Sequence, residues 1–213
     1  MLARLISGDR PGSTALTVIV VGIFIGLLLT PFLFPGARAL ETAARICVFI
    51  VLVASYDLLI GYAGIVSFAH TMFFGIGAYG VAIALSKLGP TFGAIALGGA
   101  AGIVAAMLLA LAIGLFSLRV KAIFFAMITL AVASAVAGLV SPLSAFTGGE
   151  DGLNYRIPEV LTPGFRLVQE RVLGARIDGR LIAYYLILVI AVLAFLVLLR
   201  IVNSPFGRVL QAI

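Results

Sequence analysis

Tryptophan is absent, cysteine and histidine occur once each, and charge is scarce: 14 Lys and Arg and 8 Asp and Glu in 213 residues. Each shortage excludes something. A lone Cys47 rules out an intrachain disulfide and leaves the redox compartment unreadable. It reads as a small apolar residue inside a helix. A lone His70, with no second His or Cys at ligand spacing, excludes an ordinary zinc site. There is no Gly-Lys pair, so the chain has no loop with which to cradle nucleotide phosphates. A charged fraction of 10% beside a hydrophobic fraction of 63% excludes an ordinary soluble domain. The net charge of +6 does not point to nucleic acid, because the cations punctuate apolar runs instead of interleaving with aromatics.

What is present is continuous hydrophobicity. Ala15–Phe34, Leu88–Leu118, Ala122–Gly149 and Leu181–Leu199 carry no charge, and Ile46–Ser86 holds only Asp57 and His70 as ionisable groups with charge near neutrality. About 20 apolar residues cross a bilayer as a helix, which satisfies its own backbone. The expected fold is therefore all-α and polytopic, with about six membrane helices near 15–34, 43–60, 66–86, 92–117, 122–140 and 181–201. Residues 1–213 read as one transmembrane domain. The first run follows Arg4 and Arg10 and precedes "ARA", as in a signal peptide, but it is longer than the about 7–15 residues of a signal core. It reads as a retained helix. Pro31 and Pro35 punctuate its end, and "LRVK" (118–121) makes a basic turn. Ser141–Arg180 is the one long hydrophilic connection, a length that suggests function.

An even number of helices puts both ends on one side. With the N-terminus inside, Arg4, Arg10, Arg119, Lys121, Arg200 and Arg208 are cytoplasmic. Arg38, Arg45, Lys87 and the loop arginines 156, 166, 171, 176 and 180 then lie outside, so cation counting does not favour this orientation.

Small residues let membrane helices approach, and the pairs Gly22/Gly26 and Gly98/Gly102 have the four-residue spacing of a packing groove. "YDLLIGYAGIVSFAHTMFFGIGAYG" (56–80) is different, because polarity and glycine coincide there. Gly61 and Gly64 bracket a point where a helix can unwind. If the next helix starts near Ile65, then Ser67, His70 and Gly77 share one side of it. Intramembrane polar groups and broken helices occur where they meet protein or a cavity, and transporters use them beside substrate. Asp57, Gly61, Tyr62, Gly64, Ser67, His70 and Gly77 are accordingly the candidate pathway residues. Bland alternatives stay open: Asp57 as an interfacial cap, His70 as a hydrogen-bonded structural residue. An Asp57/His70 catalytic pair lacks any accompanying nucleophile motif.

The stretch 56–80 resembles the signature of LivM-like permeases, membrane subunits of bacterial branched-chain amino-acid ABC importers. Their pattern reads asparagine-leucine-leucine, Gly-Tyr-Thr/Ala-Gly, Ser-hydrophobic-Gly/Ala-His, then Phe-hydrophobic-Gly-hydrophobic-Gly-Ala-Tyr. "FFAMITLA" (124–131), "TGGEDGL" (147–153) and "NSPFGRVLQAI" (203–213) resemble further family segments in the same order. Asp57 departs from the usual asparagine, and the chain stops at Ile213, before the usual Glu-Ala-Ala and Gly of the coupling loop. A truncated chain or the N-terminal portion of a longer domain is expected.

The resemblance implies a permease without cofactor, metal or enzymatic activity, in the bacterial inner membrane with a cytoplasmic N-terminus. It implies a LivH-like second permease, two cytoplasmic ATP-binding subunits and an extracytoplasmic substrate-binding protein as partners. Ser204, Pro205, Phe206, Gly207 and Arg208 would begin the ATPase-coupling loop. Asn203 or Ser204 is available to cap the turn, and Pro205 suits a first helical position. Thr147, Gly148, Gly149, Asp151 and Gly152 would form a tight turn in the 141–180 extracytoplasmic loop, docking the binding protein or only folding the loop. The solute is a branched-chain amino acid, or an amide or urea as in close relatives. Two rivals remain: a non-transporting assembly subunit or fragment, and an intramembrane enzyme using Asp57 and His70.

Overall fold

The computed structural model describes residues 14–34, 36–117, 120, 122–166 and 177–210. Arg4, Arg10, Arg119, Lys121, the middle of the 141–180 loop (167–176), the Arg208 side chain and residues 211–213 lie outside what is described. Among the described residues the chain is helical and forms no strand. The long helices are α1 (Thr14–Leu33), α2 (Ala37–Asp57), α3 (His70–Leu88), α4 (Phe92–Ser117), α5 (Ala122–Gly138) and α7 (Gly179–Val202). Shorter α-helical turns are α6 (Ser144–Thr147) and α8 (Pro205–Leu210), beside a π turn at Leu58–Tyr62 and a 3-10 turn at Glu159–Leu161. The all-α, polytopic membrane reading is thus correct. Among the described residues four segments are long and apolar enough to cross a bilayer: Ala37–Tyr62, His70–Leu88, Phe92–Ser117 and Gly179–Val202. Val18–Leu33 and Ile123–Gly138 are shorter apolar helices. Large apolar side chains such as Leu97, Ile103, Met107 and Leu111 stand more than half exposed along α4, as a helix facing acyl chains requires.

The chain divides into two compact units, one built from residues 1–63 and 159–213, the other from 64–158. In the first, Leu27, Ala43, Cys47, Tyr184 and Leu188 form the core where α1, α2 and α7 meet. Cys47 is buried there as the small hydrophobe expected. Pro31 falls inside α1 and is fully buried. Without an N–H, proline leaves the carbonyl four residues back without its helical donor. That carbonyl belongs to Leu27, and the buried Tyr184 hydroxyl of α7 donates to it. Beside it, the more exposed Tyr185 hydroxyl donates to the Leu28 carbonyl at 3.1 Å. Asp178 caps α7, its Oδ1 accepting from the Leu181 N–H at 3.2 Å.

In the second unit α3 and α4 form a close hairpin. Gly89, at φ +87°, turns the chain, and the Thr91 hydroxyl accepts from the Ala94 N–H at 3.1 Å to start α4. The pair Gly98/Gly102 packs as its spacing suggested: a Cβ at Gly98 would lie 2.6 Å from the Gly80 carbonyl oxygen, and one at Gly102 would lie 3.0 Å from the Gly77 Cα. Gly22 and Gly26 differ, since a Cβ at either meets nothing within 4 Å. Ala69, Met72 and Ile113 form the small buried core of this unit, with Val132 and Val136 of α5 against it.

Candidate functional site

The segment 56–80 is broken, and helical geometry ends at Gly64, inside the bracket that Gly61 and Gly64 marked. Helix α2 runs to Asp57 and continues as a π-helical turn, Leu58–Tyr62, through Gly61. Wide turns of this kind are rare and often mark functional places. Gly61 has room for the residue one turn earlier: a Cβ there would be 3.1 Å from Asp57 Oδ1, so the carboxylate lies over the bare glycine. Asp57 itself is exposed. The chain leaves helical geometry at Gly64, whose φ of +64° is a left-handed conformation that favours glycine. Residues 64–67 have no regular structure, a turn follows at 68–69, and α3 begins at His70.

Helix α3 therefore starts four residues later than the expected 66, and Ser67 does not share a helical stripe with His70 and Gly77. The physical reason is tertiary. The Phe68 N–H donates to the Thr129 hydroxyl of α5 at 3.1 Å, so this amide has a partner without a preceding helical turn. The same hydroxyl donates to the Ala126 carbonyl at 2.9 Å, and Thr129 is only 1% exposed. Ser67 and Ala69 are buried on either side of Phe68. His70 is half-buried at the start of α3, while Gly77 sits against Gly102 in the helix hairpin. Asp57, Gly61 and Tyr62 belong to the first unit; Gly64, Ser67, His70 and Gly77 belong to the second.

A groove of about 480 Å³ opens within the second unit. On α3 it is lined by Thr71, Gly75 and Tyr79, four residues apart, and on the other side by residues of α5 and its extension to Thr147. None of the seven predicted pathway residues lines it. Thr129 and this 71/75/79 face were not singled out from the sequence. A hydroxyl inside the charge-free run 122–149, and a small-or-polar residue at each fourth position of α3, were the available signals.

The turn 147–152 is shaped by glycine as anticipated. Gly148, Gly149 and Gly152 have φ of 76°, 63° and 74°. A Cβ at Gly148 would collide with the Gly152 carbonyl. Thr147 ties the turn down: its hydroxyl donates to the Val140 carbonyl at 2.6 Å and accepts from the Gly149 N–H at 3.1 Å. Asp151 and Glu150 are exposed at the tip. Nearby, Lys87 Nζ lies 4.4 Å from the centre of the Phe146 ring, fixing the end of α3 against this turn.

At the other end, α7 stops at Val202 and Pro205 opens α8. Ser204 takes the capping place, its hydroxyl accepting from the Gly207 N–H at 3.3 Å. Gly207 is buried against Val202, whose carbonyl a Cβ would strike, while Phe206 is 61% exposed. The result is a short, sharply turned knob beyond α7, with an aromatic on its surface. Among the described residues no cluster of His, Cys, Asp and Glu is built to hold a metal ion.

The comparisons agree with this architecture. Neither curated proteins nor solved structures yield a match. A family model described as the permease component of branched-chain amino acid transport systems matches residues 38–213, from the start of α2 through the broken segment and the Thr147 turn to α8 and beyond. That family comprises membrane components of transporters, not catalysts. With helices long and apolar enough to span a membrane and a match over most of its length, the chain belongs to the branched-chain amino acid transport permease family.

Proposed function

We propose that this chain is the LivM-like permease subunit of an ABC importer for branched-chain amino acids, with residues 1–213 acting as one permease domain of a bacterial inner membrane. It pairs with a LivH-like permease, two cytoplasmic ATP-binding subunits and an extracytoplasmic binding protein. The N-terminus and α8 are cytoplasmic; the Thr147–Gly152 turn is outside and meets the binding protein. Asp57, Gly61, Tyr62, Gly64, Ser67 and His70 contribute to the passage through the irregular backbone they create or border, and Gly77 contributes through the close packing of α3 on α4. ATP hydrolysis by the partners moves Ser204–Arg208, and the bundle changes between outward and inward openings. Only a difference in stability between those two states carries such coupling.

The observation that carries this reading is the combination, inside one family match, of irregular backbone at 64–69 and a capped knob after α7. The first supplies irregular backbone within an apolar bundle, which is tolerated when it faces protein or a water-accessible cavity. The second supplies a rigid element for a motor to push. Reconstitution of the four partner proteins with this chain in proteoliposomes should give ATP-dependent uptake of labelled leucine. Assembly without any uptake of leucine, valine, isoleucine, a short amide or urea would contradict the reading and favour an assembly subunit.

A further inference from the structure

We propose that Thr129 is a positioning residue for transport: its hydroxyl latches the broken segment 64–69 to α5 and sets the geometry in which that segment meets the passage. The proposal rests on the permease reading and adds to it a residue with a defined physical task. Phe68 lies in the turn before α3, where the first N–H groups of a helix have no intrahelical acceptor. In an apolar bundle such an N–H needs a partner. Thr129 supplies it at 3.1 Å and is almost fully buried. Its hydroxyl hydrogen is committed to the Ala126 carbonyl, which leaves an oxygen lone pair facing Phe68 and fixes the polarity of the contact. The Phe68 side chain is itself exposed, but its neighbours Ser67 and Ala69 are buried, and Ala69 joins Met72 and Ile113 in the core against which Val132 and Ala133 of α5 pack. Releasing this one hydrogen bond frees the irregular segment while leaving the glycine-packed α3/α4 hairpin intact.

The test uses the full reconstituted complex with Cys47→Ala and the reporter Ser67→Cys, a position 5% exposed in the parent fold. Thr129→Val keeps the shape and removes the acceptor; Thr129→Ser keeps the hydroxyl. A net hydrogen bond corresponds to about a fivefold change in a local opening equilibrium. Thiol labelling of the reporter should therefore rise about fivefold in Thr129→Val and stay near the parent rate in Thr129→Ser. In complexes with native Ser67, leucine moved per ATP hydrolysed should fall in the Val variant and recover in the Ser variant. If the Val variant assembles poorly, Thr129→Ala is read in its place, with both quantities normalised to assembled complex. Equal labelling in parent, Val (or Ala) and Ser variants overturns the latch. Loss of uptake only in proportion to lost complex also overturns it, because that is a purely structural role. If the parent complex moves no leucine while the labelling pattern holds, the permease reading fails and the latch itself survives.

Discussion

Each of the two units leaves one backbone group without a helical partner in apolar surroundings, and each answers it with a hydroxyl from another helix, but with opposite polarity. In the first unit Pro31 removes a donor, and the Leu27 carbonyl is answered by the Tyr184 hydroxyl acting as donor. In the second, the late start of α3 strands a donor, and the Phe68 N–H is answered by the Thr129 hydroxyl acting as acceptor. Both hydroxyls are buried, and both side chains are among the most completely buried large ones described. The difference lies in the backbone that each hydroxyl serves. A tyrosine reaching across from α7 answers a carbonyl freed near the end of a helix that carries on to Leu33; the threonine holds six residues of irregular chain, 64–69, ahead of α3. The first repair completes a continuous helix. The second holds an irregular segment in place.

The comparison assumes that each unit keeps its own packing, and the largest expected effect removes that assumption. Gly98→Leu places a side chain where the Gly80 carbonyl already lies 2.6 Å from a Cβ. Forcing α3 and α4 apart should destabilise the second unit by about 3 kcal/mol, read as a fall in the thermal midpoint of the detergent-purified protein. Next, Tyr184→Phe leaves the Leu27 carbonyl without its donor in a buried site and should cost about 2 kcal/mol in the same assay. Restoring the helical donor with Pro31→Ala should lessen that loss, giving a coupling of about 1 kcal/mol in a double-mutant cycle. Additive losses would show that Tyr184 matters through packing instead. Thr129→Val should cost less stability than Tyr184→Phe, about 1 kcal/mol, because the affected chain is already irregular. Tyr185→Phe, at an exposed bond to the Leu28 carbonyl, should change the midpoint least, by less than about 0.5 kcal/mol.

Much of this architecture was legible in the sequence because its signals are local. Continuous apolar runs located the six long helices to within a few residues at most ends. Glycine at 148, 149 and 152 announced a turn that needs left-handed backbone, and Ser204 before Pro205 announced the capped start of α8. Gly98 and Gly102 announced close helix packing, whereas the identical spacing at Gly22 and Gly26 meets open space, since spacing permits a contact without supplying a neighbour. What stayed hidden depends on distant partners. Tyr184 and Leu27 are 157 residues apart, and Phe68 and Thr129 are 61 apart. No periodicity reports such a pairing. The start of α3 was misplaced for the same reason: glycine and serine mark where a helix is weak, while a threonine on another helix decides where it begins. The resemblance to LivM-like permeases had included Thr129 within "FFAMITLA" without giving it a task.

The central claim is that the interruption at 64–69 is part of a driven passage, and single cysteines at each of these positions in a Cys47→Ala background test it most directly. In the assembled complex, reactivity towards a membrane-impermeant thiol reagent should differ between the nucleotide-free and ATP-bound states at several of the six positions. Uniform protection at all six in every nucleotide state would contradict the account.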